Sequence, residues 1–332
     1  MARQRKTELY IGTFTDEVVN DNGKTQSSGY LVESLHYTFN IKRSVEFYKD
    51  SATFTIYNAN EDTVHEIMDG GSSVIFKAGY EDEGMANIFI GQIVCAYPED
   101  DGSGDSTIVL ICNSQRGAQY QLERSYLTAF IDEGSSYYDV LKTIADYAGV
   151  PLTGADVLKK QKLDAGYIIN GSIRDVVMNF VSAKLRAIKG KVIISNNEMV
   201  YLHDDCVAEY DIAYLNYGCG LVKANSIRDE KYQSSEEAFS ENMEYYIGLT
   251  SSGDKDLALK KSEQSKINPR NEIEFECLLH PGLQIGGPIY VDARKNERDH
   301  KSVLGKFYVT ELNYSGDNFG RSYNVSGKAV EK

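Results

Sequence analysis

The sequence predicts an α+β fold that is mainly β, in which one small β-module occurs twice, on either side of a mixed middle segment. Residues 305–327 alternate apolar and polar side chains around a Ser-Gly-Asp-Asn turn at 315–318, a pattern typical of an antiparallel hairpin. Residues 87–112 repeat this pattern around a loop at 99–106. Each hairpin follows two shorter strand-like segments, at 52–56 and 74–78 in the first copy and at 273–277 and 289–293 in the second. We therefore interpret the β-module as duplicated.

Composition indicates a globular protein with more than one domain. The 332 residues leave room for two or three hydrophobic cores, and 42% apolar with 25% charged residues is ordinary for such chains. The formal net charge of −14 disfavours a role in binding nucleic acid. No window approaches 18 apolar residues, and the basic N-terminus lacks the apolar run of a signal peptide. We expect neither membrane insertion nor secretion.

The N-terminal part predicts a β-domain with one helix over residues 1–115. Residues 1–34 are mostly polar, and we expect them to form only an extended arm and a loop. Residues 35–41 alternate apolar and polar side chains and predict a half-buried antiparallel strand. A short helix is expected to begin near Asn60 and to end at Gly70, because acidic residues fill its first turn and glycines follow it.

The middle segment predicts a mixed α+β domain over residues 116–215. Ser136 with Asp139 and Ser172 with Asp175 each form the pattern of a helix N-terminus. The first helix should end at Gly149, and the second should bury side chains as far as residue 185 before ending near 190. A hairpin over 192–202 is expected to turn at two asparagines, 196 and 197.

A second β-domain is predicted over residues 216–332. It resumes with a strand near residues 221–227 and contains the second copy of the module. The interval 229–270 is polar and charged, and we expect a long excursion, part helix and part mobile loop, of the kind that often binds a partner.

Candidate chemical sites are few, and we name no catalytic, cofactor-binding or metal-binding residues. Residues 101–105 resemble the opening of a calcium loop, but Ser106 and Cys112 stand where that loop needs Gly and Glu. The four consecutive residues 203–206 carry ligand-type side chains that cannot all face one ion without contorted backbone. Neither segment therefore predicts a metal site.

Two acidic runs could supply the carboxylate pair of a glycoside hydrolase. They lie at 81–83 and 99–101, in segments that we expect to be loop tips, where carboxylates are normally solvated. Nucleophile-elbow, zinc-protease, P-loop and dinucleotide-binding motifs are absent from the sequence. We therefore predict a protein that is not an enzyme.

The five cysteines are odd in number and scattered, without metal-type spacing. We expect reduced, mostly buried thiols made in a cytoplasm. Cys95 and Cys112 could face each other across the first hairpin, but a reducing compartment disfavours a disulfide there.

Several segments resemble the baseplate or tail hub proteins of contractile-tailed bacteriophages. Near the C-terminus these are IEFECLLHPGLQIGGPIYV at 273–291 and GKFYVTELNYSGDNFGRSYNVSGKA at 305–329. The segment 52–93 is similar to the first module of the same family, and SSYYDVLKTIADYAGVPL at 135–152 is similar to the helix that opens its middle domain. The resemblance covers about two thirds of the chain; 229–270 and the first 30 residues lie outside it.

This resemblance implies two tail-tube-like antiparallel β-barrel modules per chain, flanking the middle domain. It implies a structural homotrimer with pseudo-sixfold symmetry that joins the hexameric tail tube to the trimeric central spike and encloses the DNA channel. Its expected partners are the tail tube protein, the central spike protein, other baseplate proteins and a tape measure protein, with DNA only passing through. The expected location is the baseplate of a virion assembled in the host cytoplasm.

Three alternatives remain open. The chain could be a tail-tip hub of a non-contractile tail or of a phage-like injection machine. It could be a carbohydrate- or peptidoglycan-cleaving tail enzyme, which would lose turnover when Asp100 or Glu83 is changed to its amide. It could also be a monomeric receptor-binding module, which would form no threefold ring.

Overall fold

The computed structural model describes residues 4–13, 28–32, 34–46, 50–65, 67–68, 73–100, 104–113, 126–227, 272–294, 302–320 and 322–332. The strands of the N-terminal part are β1 Arg5–Thr13, β2 Ser28–Leu31, β3 Tyr37–Ser44, β4 Ser51–Tyr57, β5 Ser73–Tyr80, β6 Gly84–Asp100 and β7 Ser106–Asn113. The middle segment contains β8 Tyr126–Ile131, β9 Leu152–Thr153, β10 Tyr167–Ser172, β11 Lys191–Ser195 and β12 Glu198–Leu202. The C-terminal part contains β13 Ala213–Asn216, β14 Leu221–Ile227, β15 Glu272–Leu278, β16 Pro288–Asp292, β17 Leu304–Asp317 and β18 Tyr323–Glu331. The α-helices are α1 Glu61–His65, α2 Tyr137–Ala148 and α3 Ile173–Phe180, and none of these is long and apolar enough to cross a membrane.

One large sheet unites the two ends of the chain. Its strands follow the order β14-β15-β18-β17-β3-β4-β7-β6-β5-β1-β2, with β16 beside β17 and β13 beside β16. The pairs are antiparallel except β13 with β16, which run parallel. The predicted α+β, mainly β fold class is confirmed.

The predicted duplication is visible in the strand pairing. In the first module β4 pairs with β7, β7 with β6 and β6 with β5; in the second β15 pairs with β18, β18 with β17 and β17 with β16. β3 lies beside β4 as β14 lies beside β15. Both hairpins also carry a bulge at the same place, between Ile93 and Cys95 and between Val309 and Glu311. The equivalent strands of the two modules therefore align residue by residue, apart from one extra residue, Val222, in β14.

The modules are joined because β17 also pairs with β3, from Glu311 opposite Ser44 to Asp317 opposite Thr38. This inter-module pairing corrects the predicted turn at 315–318, because Ser315 to Asp317 belong to β17 and β18 begins only at Tyr323. Gly316 favours a turn locally, but backbone hydrogen bonds with two neighbouring strands outweigh that preference. The same correction applies to the first hairpin, where β6 continues to Asp100.

The described part of the N-terminal arm is also part of the sheet, where the sequence predicted no more than an extended arm and a loop. β1 pairs with β5 along eight residues and with β2 on its other side. Leu9 and Ile11 are buried because residues two apart in a strand point to the same face. The short apolar run that Gly12 ends is enough to make a strand once a partner is available on each side.

The core of the joined sheet is aromatic. Phe39 packs against Phe76 with ring centroids 4.6 Å apart, and the Tyr80 and Tyr323 rings meet edge to face at 5.7 Å. The Tyr323 hydroxyl, carried by the second module, donates to the Gly79 carbonyl and accepts from the Gly79 N–H, both at 2.8 Å. Burial raises the pKa of this phenol, because its charged form would lose solvation. The two modules therefore share one core.

The helices of the middle segment begin as predicted. Ser136 accepts from the Asp139 N–H, while the Asp139 carboxylate accepts from the Ser136 hydroxyl and from the Ser136 N–H, both at 2.7 Å. The two hydrogen bonds to the carboxylate, that of the hydroxyl first, lower the pKa of Asp139. α2 ends at Gly149 in the left-handed conformation with φ 69°. Ser172 caps α3 by accepting from the Asp175 N–H at 3.2 Å, and its hydroxyl donates to the Asp175 carboxylate at 2.7 Å. These helices pack on β8, β10 and the β11–β12 hairpin in a core of their own.

The β11–β12 hairpin connects that core with the large sheet. Asn196 and Asn197 form its turn with φ of 50° and 62°, as predicted. Val192 and Ile194 face the helices, whereas Ile193, between them, joins the core of the large sheet. The predicted domain limits at 115 and 215 stay predictions.

A buried polar cluster fixes this connection. Arg43 donates to the Ser195 hydroxyl at 2.8 Å, Ser195 donates to the Asp50 carboxylate at 2.7 Å, and the Arg43 Nε lies 3.8 Å from that carboxylate. Arg43 also reaches Gln284 of the second module at 3.4 Å. Burial raises the pKa of Asp50, while Arg43 and the hydrogen bonds from Ser195 and Ser44 oppose that shift. This cluster joins both modules to the middle segment.

Asp50→Ala is expected to lower the free energy of unfolding by about 3–5 kcal/mol, because the Arg43 charge would stay buried without its counter-ion. Urea unfolding measures the change. The matched control is Glu274→Ala, which removes an exposed carboxylate from the same sheet and should cost less than about 0.5 kcal/mol. The double variant Arg43→Met/Asp50→Leu should recover most of the loss. A double variant as unstable as Asp50→Ala alone would show that the cluster does not act through its charges.

Candidate assembly interface

The described residues of the two segments considered for metal binding, 101–105 and 203–206, belong to no cluster of metal-ligating side chains. Residues 203–206 form a turn in which His203 bridges to Val207, the His203 Nδ1 lies 3.9 Å from Asp204, and Cys206 is buried. Residues 101–103 lie outside the described residues, and Asp105 accepts from the Asn58 side chain at 3.0 Å. Across the described ranges, no three His, Cys, Asp or Glu side chains are arranged to hold a metal ion.

The two acidic runs occupy different environments. Residues 81–83 form the exposed β5–β6 turn, as expected. Glu99 and Asp100, in contrast, lie within β6 and not in a loop tip, because they pair with Thr107 and Ser106 of β7. The prediction that both runs are loop tips is therefore wrong for 99–100.

All five cysteines are free. Cys112 pairs with Ile93, and Cys95 pairs with Ile111, so the two thiols are not directly opposite each other across the hairpin. Cys112 and Cys277 are buried, and burial raises the pKa of the Cys277 thiol to about 12. Cys95, in contrast, is exposed and lies in β6, beside the outer edge of that strand.

The C-terminal half of β6 has an open edge. Residues 84–92 of β6 pair with β5, but no described strand pairs with that edge over residues 95–100. The equivalent edge of β17 is the one that pairs with β3. Pro98 lies in this stretch, and proline occurs in sheets chiefly on edge strands because it has no N–H to donate.

The second open edge belongs to β14, which is the last strand of the large sheet and pairs only with β15 in the described part of the chain. β14 is the equivalent of β3, the strand that receives β17 within the chain. Each module thus repeats half of the inter-module pairing. Among the described strands, β6 of the first module has no receiving strand along this edge, and β14 of the second module has no donor strand.

The alignment of the modules gives a register for these two edges. In the inter-module pairing Asn313 lies opposite Lys42 and Ser315 lies opposite Asn40. The aligned bulges make Tyr97 the equivalent of Asn313, and the shared strand pairing makes Ile227 the equivalent of Lys42. If β6 of one copy paired with β14 of another, the opposed residues would be Tyr97 with Ile227, Pro98 with Ser226, Glu99 with Asn225 and Asp100 with Ala224.

The side chains on these edges suit a protein interface. Val94 is 49% exposed, Tyr97 is 38% exposed and Val222 is 52% exposed, so apolar side chains are available for contact on both edges. In the inferred register Tyr97 and Ile227 would form an apolar pair at the position that Asn313 and Lys42 occupy within the chain. Glu99 would also lie diagonal to Lys223, a favourable charge pair.

Sequence reasoning did not single out these residues. In the sequence Tyr97 and Val222 look like ordinary members of strands, and only the strand order shows that no described strand lies beside them. One signal was available in Pro98, since a proline within a strand-like run indicates an edge.

No protein-family model and no curated protein matches the sequence. Among solved structures, the 43 kDa tail protein of prophage MuSo2 from Shewanella oneidensis is similar with a TM-score of 0.55 and 10% identity, over 98% of this chain and 98% of that one. The tail protein from Neisseria meningitidis MC58 is similar with a TM-score of 0.54 and 10% identity, over 99% and 97%. A chain of the Francisella PdpA-VgrG complex is similar with a TM-score of 0.51 and 10% identity, over 99% of this chain but 53% of that one.

The chain has the tail-protein fold. The resemblance predicted from the sequence is thereby confirmed for the fold, along essentially the whole chain. At 10% identity the shared property is the arrangement of strands, so function has to be argued from the surfaces of this chain.

Ser226→Pro is expected to block association of this tail-protein fold without unfolding it. Just beyond the two ends of β3, the Val45 N–H donates to the Thr310 carbonyl of β17, whereas the His36 carbonyl accepts from the Tyr57 N–H of β4, so alternate residues face the two neighbours. By the module alignment, Ser226 is the equivalent of Ile41 and its N–H faces the open edge. Proline there removes an edge donor but no hydrogen bond to β15.

The measurement for this variant is its solution mass by light scattering, beside its thermal midpoint. Ser226→Ala, which keeps the N–H, is the matched control and should associate like the unmodified chain. A Ser226→Pro variant that associates as strongly as Ser226→Ala would argue against the β14 edge as an interface.

Proposed function

We propose that the chain is a structural tail hub that forms a ring of three copies, in which β6 of each copy pairs with β14 of the next. The observation that carries the proposal is the pairing of β17 with β3, which shows how one module receives the other. Repeating that geometry on the two open edges adds a module at each step, and a closed ring uses every edge of this type. The apolar residues on both edges would then be covered.

The ring so formed has threefold symmetry in its chains and near-sixfold symmetry in its modules. Three of its module contacts lie within chains and three lie between chains, and both types use the same strand geometry. Such a ring can match a sixfold tail tube on one side and a threefold spike on the other, which is the work of a hub. The likeness to tail proteins and to a chain of a VgrG complex supports this role, for a phage tail or for a phage-like injection machine.

The polar face of the joined sheet would line the channel of this ring. Its charged side chains on strands β3, β14, β15, β17 and β18 include the acids Glu272, Glu274, Glu276, Glu311 and Asp317 and the bases Lys42, Lys223 and Lys328. Acids outnumber bases, so the wall would repel a DNA backbone weakly and let it pass without binding. The work of the protein is then done by interfaces and not by turnover.

The domain limits follow from this assignment. The first tube-like domain comprises residues 1–115 and the second comprises 216–332, with the middle domain between them outside the ring wall. The proposed partners are the tail tube protein, the central spike protein, other baseplate proteins and a tape measure protein. The location would be the baseplate of a virion.

The test combines mass with a cross-link in the proposed register. Light scattering over a range of concentrations should approach three times 37.1 kDa. In a Cys95→Ser background, Glu99→Cys with Asn225→Cys should form a disulfide between copies, because opposed residues of paired strands bring their Cβ atoms within about 5.5 Å. Non-reducing electrophoresis would show linked dimers and trimers.

The control variant pairs Glu99→Cys with Thr53→Cys, since Thr53 is exposed on β4, away from both edges, and should not cross-link. A chain that stays monomeric at all concentrations would contradict the ring. A trimer that forms no Glu99→Cys/Asn225→Cys disulfide would contradict the β6–β14 contact specifically.

A further inference from the structure

Each module has an outer layer that covers its core, and the two layers are built in different ways. In the first module β1 pairs with β5, and in the second β13 pairs with β16. The aligned bulges make Ile75 of β5 the equivalent of Tyr290 of β16. Tyr10 pairs with Ile75 and Tyr214 pairs with Tyr290, so β13 occupies the place of β1, although it runs in the opposite direction.

The first module has one more strand in this layer. β2 pairs with the far edge of β1, with Leu31 opposite Tyr10 and Tyr30 opposite Ile11. β13 pairs only with β16 in the part of the chain that the structure describes. A strand with a single neighbour presents backbone N–H and C=O groups along its other edge, where a further strand can pair. Among the described strands, none fills beside β13 the place that β2 fills in the first module.

The side chains of β13 divide between the core and an exposed aromatic surface. Ala213 and Leu215 are buried, whereas Tyr214 between them is 60% exposed. The centroids of the Tyr214 and Tyr290 rings lie 6.0 Å apart, and Ile212, just before the strand, is 41% exposed. Because these apolar surfaces lie beside an open strand edge, a strand added there would bury them against its own apolar side chains.

The surface at the start of β13 carries exposed acids. A groove there is lined by Glu209, Asp211, Ile212, Pro288, Lys306 and Tyr308. Glu209 and Asp211 are exposed, and the Lys306 Nζ lies 5.2 Å from the Tyr308 ring centroid. A Lys or Arg side chain of an added segment would be attracted by the two carboxylates, which would help to fix the position of that segment along the edge.

We propose that β13 receives an extended segment of another tail protein as an additional strand, at the place that β2 occupies in the first module. Tyr214 would contact apolar side chains of this segment, and Glu209 and Asp211 would pair with a Lys or Arg. In such strand addition the backbone ladder supplies affinity, and the side chains beside the edge supply specificity. The inference goes beyond the proposed hub function and does not depend on it, because β13 is separate from the β6–β14 contact.

The experiment uses the full-length chain and a fluorescent synthetic peptide, KVTVTVT, as the added strand. Tyr214→Ser should weaken peptide binding at least about tenfold in fluorescence anisotropy, because a tyrosine anchor supplies much of the binding energy of an interface. The matched control is Tyr126→Ser in β8, where the tyrosine is 62% exposed, and it should bind like the unmodified chain. A Tyr214→Ser variant that binds as tightly as Tyr126→Ser would overturn the inference.

Modified peptides test whether the backbone of the segment is recognised. One peptide is methylated at the backbone nitrogens of its valines, and a second at those of its threonines. Alternate residues of a strand face the same edge, so one of the two should lose the N–H donors that pair with β13 and should no longer bind. Binding of both methylated peptides with unchanged affinity would also overturn the inference.

Assembled tails provide a further measurement. A benzophenone side chain in place of Tyr214 should cross-link, on irradiation, to a segment of another tail protein that has alternating apolar side chains and a Lys or Arg. A cross-link only to this chain, in the same copy or in another, or no cross-link at all, would overturn the inference. Solution mass separates this failure from that of the proposed function, because a chain that binds the peptide but stays monomeric would refute the ring alone.

Discussion

The pairing of β17 with β3 is the interaction on which the rest of the structure depends. It makes residues 38–44 and 311–317 neighbours, although nearly the whole chain lies between them. Closing so long a loop costs entropy before any contact repays it. This entropy cost is offset by a continuous ladder of backbone hydrogen bonds and by a shared aromatic core. In that core the Tyr323 hydroxyl of one module forms hydrogen bonds with the Gly79 backbone of the other. Without this pairing each module would expose an edge and half of a core.

The buried cluster of Arg43, Asp50 and Ser195 lies where this pairing meets the middle segment. Buried ion pairs add little net stability over well-packed apolar residues, since each charge must be desolvated. Their geometry is demanding, however, because each donor needs its acceptor in place. We attribute to the cluster a positioning role: it fixes the orientation of the middle segment relative to both modules.

Short sequence patterns predicted those elements that interactions between residues close in sequence determine. The capping pairs at Ser136 and Ser172, the left-handed Gly149 and the asparagine turn at 196–197 depend on residues within a few positions. The rules failed where distant strands decide.

Residues 99–100 and 315–317 look like turns, yet they are strand because partners lie on one or both sides of them. The arm around Leu9 is strand for the same reason. The interface residues were least visible, since exposure of Tyr97 follows from strand order alone.

In the proposed ring, the divergence of the two modules would distinguish the junction between chains from the junction within a chain. If both junctions used one backbone geometry, Asn313 with Lys42 would be replaced by Tyr97 with Ile227, and Tyr314 by Pro98, which donates no hydrogen bond. Within the chain, covalent linkage keeps the modules together, so polar side chains suffice beside a complete ladder. Between chains the ladder would have one donor fewer, and association would also have to overcome the entropy of bringing separate molecules together. Apolar side chains at that junction would supply burial that the backbone alone does not, and they would do so only when the next copy binds.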